Sequence, residues 1–425
     1  MLKGNRRFAL LAAVIATIST ALYAHTWRFG YTFLDDNDII LSRRELLAKP
    51  AGLVLSFTQR YFVGNSNFFY RPLVNLSFAI DAQIAGTQPW IYHLTNGLLH
   101  ATACVLLLAL FRQLRLGDVA STAAALLFSV HPMHVSSVAW IPGRNDVLLT
   151  CFALAAMTLL PKATKACPIA KLCHVLCFLG ALSCKETAIC LPLVFVAQLL
   201  AFEPWRAIAK RRSLALGWAT ALALYFMARS MLMTLPAGYS RKLIYTAFTN
   251  RWVLLSDIGK LLMPIRLQVL YTARDILIWP GIVVIGVVVS VLWFCRQMRP
   301  GIVLLALAIS ILPLLMGLLA TDFIILENRL YLPIAGACLL VGELIRTLVN
   351  QPPRSVIVVG TIVASVSLIL ALITTSYCKQ YADRDRFAQA AIKAAPGSYL
   401  AMRLEFMRSF HGYGGPSRTE VRRKQ

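Results

Sequence analysis

Long stretches of uncharged, apolar sequence constrain this chain more than any other feature. A helix needs about 20 mainly apolar residues to cross a bilayer, where the backbone must satisfy its own hydrogen bonds. About eleven candidate runs lie near residues 8–24, 93–111, 118–138, 146–160, 172–184, 187–202, 213–232, 277–295, 301–320, 331–346 and 355–377. The third, fourth and fifth are short or interrupted. Composition agrees, with 58% hydrophobic and only 14% charged residues. Soluble domains run to about a quarter charged, so an ordinary soluble globule is excluded, and so is a disordered chain. The expected fold class is all-α, a polytopic membrane protein of about eleven transmembrane helices. A large first outer loop at 25–92 and a short helical tail complete it.

The chain carries 42 Lys and Arg against 18 Asp and Glu, a formal charge of +24. In a soluble protein that would be a nucleic-acid footprint. Here the cations sit between apolar runs, so membrane lipids are the expected partner and nucleic acid is not. Short-loop Lys and Arg mark the cytoplasmic side. With the N-terminus in the cytoplasm, that side holds Lys3, Arg6 and Arg7, Arg112 and Arg115, and Lys162, Lys165 and Lys171. It also holds Arg206, Lys210, Arg211 and Arg212, Arg296 and Arg299, and Arg346 and Arg354. The short outer loops hold one cation each: Arg144, Lys185 and Arg329. Leu22 occupies a position before Ala24 where signal cleavage wants a small residue, so the first run reads as a retained span. The ten cysteines lie mostly inside apolar runs and read as packing residues, not a disulfide framework.

Two units follow: a membrane domain over 1–377 and an outer-face tail over 378–425. In the tail, residues 387–395 and 399–410 read as two short helices broken at Pro396-Gly397.

The polar residues gather at the outer ends of spans. Phe33-Leu34-Asp35-Asp36-Asn37-Asp38 follows the first span. Tyr70-Arg71-Pro72-Leu73, Tyr92-His93-Leu94-Thr95-Asn96, His131-Pro132-Met133-His134 and Gly143-Arg144-Asn145-Asp146 come next. Lys185-Glu186 and Glu327-Asn328-Arg329-Leu330-Tyr331-Leu332-Pro333 complete the set. Ionisable residues near membrane depth are costly, so each is a functional candidate. Carboxylates from the first loop and cations from later loops suit group transfer from a lipid phosphate. A carboxylate can take a proton from an acceptor hydroxyl, and Arg and Lys can neutralise a departing phosphate.

Taken together, these stretches resemble the GT-C superfamily of polyprenyl-phosphate-sugar-dependent glycosyltransferases. The likeness is to its transmembrane O-mannosyltransferase-like proteins with C-terminal tetratricopeptide repeats. Leu76-Ser77-Phe78, Leu99-His100, Phe128-Ser129-Val130, Val138-Ala139-Trp140-Ile141, Cys184, Thr187 and Leu191-Pro192 extend the match, which covers roughly residues 30 to 335 in consistent order. The sequence departs from that pattern at Ser136 and Ser137, where relatives often carry Glu, while the Gly-Arg-x-Asp element keeps its shape with Asn145. Residues 383–410 read as one repeat-like helical pair.

The resemblance implies an inverting transfer of a hexosyl group, mannose first, from a polyprenyl phosphate sugar to a hydroxyl on a protein or glycan. The catalytic carboxylate would be Asp35 or Asp36. Arg329, Lys185, Arg71 and Arg144 are the candidates to bind the donor phosphate. His131, His134, Glu186 and Asp146 are candidate polar neighbours of the donor. No cofactor is required, since side-chain cations can carry the phosphate charge. No metal site is expected, because Pro132 interrupts the face shared by His131 and His134 and no third ligand is evident. Each site residue also has an ordinary reading: a solvated or capping Asp pair, a snorkelling Lys185, a local Glu327–Arg329 pair, interface anchors at Arg71 and Arg144. Trp90, Trp140 and Trp279 read as aromatic-belt residues. Two other functions compete, a lipid-sugar flippase or transporter and a non-catalytic binder of lipid-linked sugar. A bacterial cytoplasmic membrane with the site on its periplasmic face is the expected location; an endoplasmic reticulum membrane fits the same topology.

Overall fold

The computed structural model describes residues 2–32, 34–62, 69–165, 167–233, 245–318, 325–349 and 354–396. Phe33 and the second expected tail helix at 399–410 lie outside the described residues. Each of the eleven apolar runs coincides with a helix over most of its described length, except 118–138, which breaks after Ser129. Six helices are long and apolar enough to span a membrane: Arg6–Arg28, Pro89–Gln113, Ile141–Ala163, Arg212–Leu232, Glu327–Val349 and Val356–Tyr381. Five shorter apolar helices accompany them, Asp118–Ser129, Pro168–Leu182, Glu186–Leu200, Trp279–Phe294 and Pro300–Met316. Among the described residues there is no β-strand, only an isolated antiparallel bridge between Tyr271 and Ile325. The chain is an all-α, multi-pass membrane protein.

Sequence chemistry explains where the helices start. Pro72, Pro89, Pro168 and Pro300 each open one, where a missing N–H costs nothing and the fixed φ is already helical. The run expected at 118–138 instead stops at Ser129. Pro132 cannot donate a helical bond and biases His131 away from helix; His131 takes extended backbone and a 3-10 turn, Pro132–His134, follows.

Three helices form the centre. In Glu327–Val349 the most apolar window is 67% buried, against 56% in Pro89–Gln113 and Ile141–Ala163 and 11% in Val356–Tyr381. Pro89–Gln113 packs on Arg144–Ala163, which packs on Pro168–Leu182, and Tyr331–Val349 lies between Asp118–Ser129 and Pro300–Leu318. Close approach requires Gly336, where a Cβ would lie 2.4 Å from the Ala306 carbonyl oxygen and from Ser310 Oγ.

The polar contacts sort into two ends. One end holds Arg7 and Arg112 on Asp118, Arg211 on Glu203 and the Thr164 carbonyl, and Arg299 and Arg346 on Glu343. The other end holds Arg71 on Glu186, Lys185 on Asp146 and Lys260 on Glu327. All the candidate site residues lie at this second end, as one-sided polar clustering in the sequence requires. The ten cysteines are all free thiols.

Candidate active site

The acidic pair opens a short helix, Asp35–Ile39. Asp36 is 1% exposed, and its Oδ2 accepts the Thr32 backbone N–H at 2.8 Å and the Thr32 hydroxyl. Thr32 Oγ1 in turn accepts the Trp140 indole N–H at 3.1 Å. Trp140, expected in the aromatic belt, is therefore buried in the site end (3% exposed), while Trp90 and Trp279 are exposed. Asp35 is half-buried. Asp36 is thus built into its own turn, whereas Asp35 keeps partial exposure.

Asp35 acts electrostatically on Tyr61, whose phenol burial pushes well above its ordinary range. The Tyr61 ring lies 4.8 Å from the Arg71 guanidinium, which also stands 4.6 Å from the Phe69 ring. Arg71 donates to Glu186 Oε2 from Nε at 3.3 Å and from Nη2 at 3.0 Å. Burial alone would lower the Arg71 pKa, but Glu186, Tyr61 and Asp146 together outweigh it and raise it. Lys185 Nζ grips both oxygens of Asp146, at 2.7 and 2.6 Å. Its pKa is lowered, first by burial and also by the Arg71 and Arg329 charges, with Asp146 opposing. Arg329, in the 3-10 turn Glu327–Leu330, acts on Lys185 and on Asp257. Asp35, Arg71, Lys185, Glu186, Asp146 and Arg329 are thus one electrostatic neighbourhood. Like charges raise each other's cost when buried, so three cations gathered here need anionic company.

Arg144 sits elsewhere. It is fully buried, and all three guanidinium nitrogens bond to protein. Nε donates to Asn96 Oδ1 at 2.6 Å, Nη1 to Ser77 Oγ at 3.3 Å, and Nη2 to the Tyr92 carbonyl at 2.9 Å, while Nη2 also forms an ion pair with Asp81 at 2.6 Å. In this arrangement Arg144 braces the helices 72–85, 89–113 and 144–163. Gly143 makes that placement possible, since a Cβ there would lie 2.3 Å from the Ser136 carbonyl oxygen. His134 is also removed from the site surface. It is fully buried, its ring 4.3 Å from Phe128 and 4.4 Å from Tyr331. His131 is 5% exposed, and its Nδ1 accepts the Met133 N–H at 3.3 Å. Burial drives His131 down to about 4 and is also the chief cause that lowers His134. Among the described residues no group of three His, Cys, Asp or Glu side chains is placed to hold a metal ion.

The sequence reading missed Tyr61, Asp81 and Arg229, and it gave Glu327 a different partner. Tyr61 joins Asp35 to Arg71, and nothing in its local sequence announces it; the bond from its N–H to the Phe69 carbonyl at 3.1 Å brings it there. Asp81 is the hidden partner of Arg144. Glu327 does not reserve itself for Arg329: it accepts Lys260 Nζ at 2.7 Å, the Gln268 N–H at 3.1 Å and the Tyr377 hydroxyl at 3.0 Å. A fourth basic residue, Arg229, acts on Tyr225 alongside Glu186 and Arg71.

An all-α membrane bundle with an acidic turn and gathered cations at one end is the arrangement the GT-C resemblance implies. Comparison with known proteins supports that class. Residues 71–231 match the family model described as dolichyl-phosphate-mannose-protein mannosyltransferase. The chain is 27% identical over 343 residues to Protein O-mannosyl-transferase F38B6.6 of Caenorhabditis elegans, covering 74% of this chain and 46% of that protein. It is 35% identical over 149 residues to Protein O-mannosyl-transferase TMTC2 of Homo sapiens, covering 34% of this chain and 18% of the relative. Protein O-mannosyl-transferase Tmtc1 of Drosophila melanogaster is 32% identical over 179 residues, or 41% of this chain and 21% of that protein. The chain spans less than half the length of each of these relatives. The likeness to the transmembrane O-mannosyltransferase-like proteins read from the sequence is borne out.

Proposed function

We propose that the chain is a membrane glycosyltransferase that moves a hexosyl group, mannose first, from a polyprenyl phosphate sugar to a hydroxyl of a protein or glycan. The reaction is a direct displacement at the sugar C1. The acceptor oxygen bonds to C1 as the C1–O bond to phosphate breaks, and the anomer inverts. The acceptor proton passes to Asp35, acting as general base. The bonding pair leaves on the phosphate oxygen, giving polyprenyl phosphate. Lys185, Arg71 and Arg329 meet the charge that develops there. Asp146 and Glu186 hold Lys185 and Arg71 until the phosphate arrives. Arg144 and His134 support the scaffold and take no part in the chemistry. The membrane unit is 1–377, with 378–425 as an outer-face tail, and the site faces the periplasm or lumen with the N-terminus in the cytoplasm. A bacterial cytoplasmic membrane is the favoured home.

The observation that carries this reading is the meeting of the Asp35 turn with Lys185, Arg71 and Arg329 at one end of an all-α membrane bundle. The test is sugar transfer from radiolabelled polyprenyl phosphate mannose by the purified protein, beside Asp35→Asn. Transfer in the parent that is lost in the variant is the expected result. A parent silent with every polyprenyl phosphate sugar in a panel, while still binding the donor, would overturn the reading in favour of binding alone.

A further inference from the structure

The helix Arg384–Ala394 buries Phe387, Ala388 and Ala391, and it begins on a capped residue, with Asp383 accepting the Arg386 N–H at 2.9 Å. Its apolar face docks on the residues that support the acidic turn. The Phe387 ring stacks on Trp140, with centroids 6.5 Å apart and planes at 18°. Trp140 donates to Thr32 Oγ1 at 3.1 Å, and Thr32 donates to Asp36 Oδ2 through its N–H at 2.8 Å and through its hydroxyl. A second contact reaches the same segment independently. The Gly30 N–H donates to the Ala382 carbonyl at 2.8 Å, while the Gly30 carbonyl lies 3.3 Å from His93 Nε2. Residues 30–32 are thus held by the tail on one side and by the helix 89–113 on the other. The far end of the tail helix is fixed too, the Gln268 side-chain amide donating to the Ala394 carbonyl at 3.3 Å.

We propose that Phe387 is a positioning residue for the acidic turn: the tail helix, stacked on Trp140, holds Thr32 and through it sets the placement of Asp35 and Asp36. The inference rests on the transferase reading above and adds a control point to it. A general base works only at hydrogen-bond reach of its proton, and a displacement of about 1 Å can cost about a hundredfold in rate. Loosening one anchor of several should cost less, about tenfold.

The experiment uses the full chain with labelled polyprenyl phosphate mannose and compares the parent, Phe387→Ala, Phe387→Tyr, Thr32→Val and the Phe387→Ala/Thr32→Val double variant. Phe387→Ala should lower kcat about tenfold with donor KM within about twofold, and Phe387→Tyr should restore most of the rate. The double variant should be no slower than the slower single one, because both cut one chain of contacts. Parental kcat in Phe387→Ala, or losses that multiply in the double variant, would overturn the proposal. Hydrogen exchange on the same proteins needs no turnover. In Phe387→Ala the amides of 32–39 should exchange faster while those of 89–113 do not change. A silent parent with that local response counts against the transferase reading alone. Unchanged exchange at 32–39 counts against the positioning role whatever the activity.

Discussion

At the end of the bundle opposite the acidic turn, one buried acid gathers two cations. Glu343 is fully buried and takes Arg299 at 2.6 Å and Arg346 at 2.7 Å. Arg299 also donates to the Leu114 carbonyl at 2.9 Å, and Arg211 donates to the Thr164 carbonyl at 2.9 Å. These arginines close helix ends and tie neighbouring helices together. At the site end the arrangement is different. Arg71 and Lys185 each have their own carboxylate, Glu186 and Asp146; the two pairs lie within electrostatic reach of each other, and the Lys185 pair also feels Arg329. Glu186 keeps 23% of its side chain exposed, where Glu343 keeps none. At one end a single buried acid clasps two arginines; at the other each cation has a carboxylate of its own, the arrangement the proposed transfer uses to receive a phosphate.

That contrast is broken most severely by removing the base. Asp35→Asn should reduce transfer by about 10²–10⁴-fold, the usual contribution of a general base. Asp36→Asn should cost much less, because an amide oxygen can still accept from Thr32. Initial rates at saturating donor distinguish the two, and equal losses would erase the division of labour between them.

Next in size is the buried scaffold. Arg144→Met leaves Asp81 charged in a dry site and should destabilise the fold by about 3–5 kcal/mol. Glu343→Gln should cost less, about 1–3 kcal/mol, since its arginines are partly exposed. Thermal unfolding in detergent reads both. Per folded molecule, Glu343→Gln should transfer sugar at the parental rate, whereas Lys185→Gln should raise the donor KM and also lower Tm, because it leaves buried Asp146 without its cation.

Much of this was legible before any coordinates. The apolar runs located the helices because a bilayer admits few alternatives, and the one-sided gathering of Asp35, Arg71, Lys185 and Arg329 pointed to the site. Pairing was not legible. Lys185 and Asp146 are 39 positions apart and Arg71 and Glu186 are 115, distances over which sequence carries no signal of contact. Burial was not legible either. Arg144 and Lys185 are each a lone outer-loop cation in the sequence, yet one is sealed among Asp81, Asn96 and Tyr92 and the other keeps some exposure. The helix Pro72–Ala85 is too short to span yet apolar enough to pack, so no spanning run marks it in the sequence.

The charge at Lys185 gives a pH test of the same contrast. Burial and its cationic neighbours hold its pKa below the ordinary lysine value. A phosphate needs the protonated form, so donor affinity should weaken as pH rises through that lowered pKa, earlier than for a free lysine. Donor KM measured against pH should climb on the alkaline side, and Lys185→Arg should move that limb upward because guanidinium stays charged. An unmoved limb would assign the titration to another group.

The smallest effect expected is at His131. A histidine in contact with bound donor phosphate would add an imidazole limb near its ordinary pKa of about 6.5. Burial instead drives His131 down to about 4, and the structure uses its Nδ1 to accept the Met133 N–H. A neutral imidazole that accepts one backbone bond is well mimicked by an amide oxygen. His131→Gln should therefore keep kcat within about threefold and leave the rate profile between pH 5.5 and 7.5 unchanged. A parental limb near 6.5 that vanishes in His131→Gln would return this residue from the scaffold to the donor site.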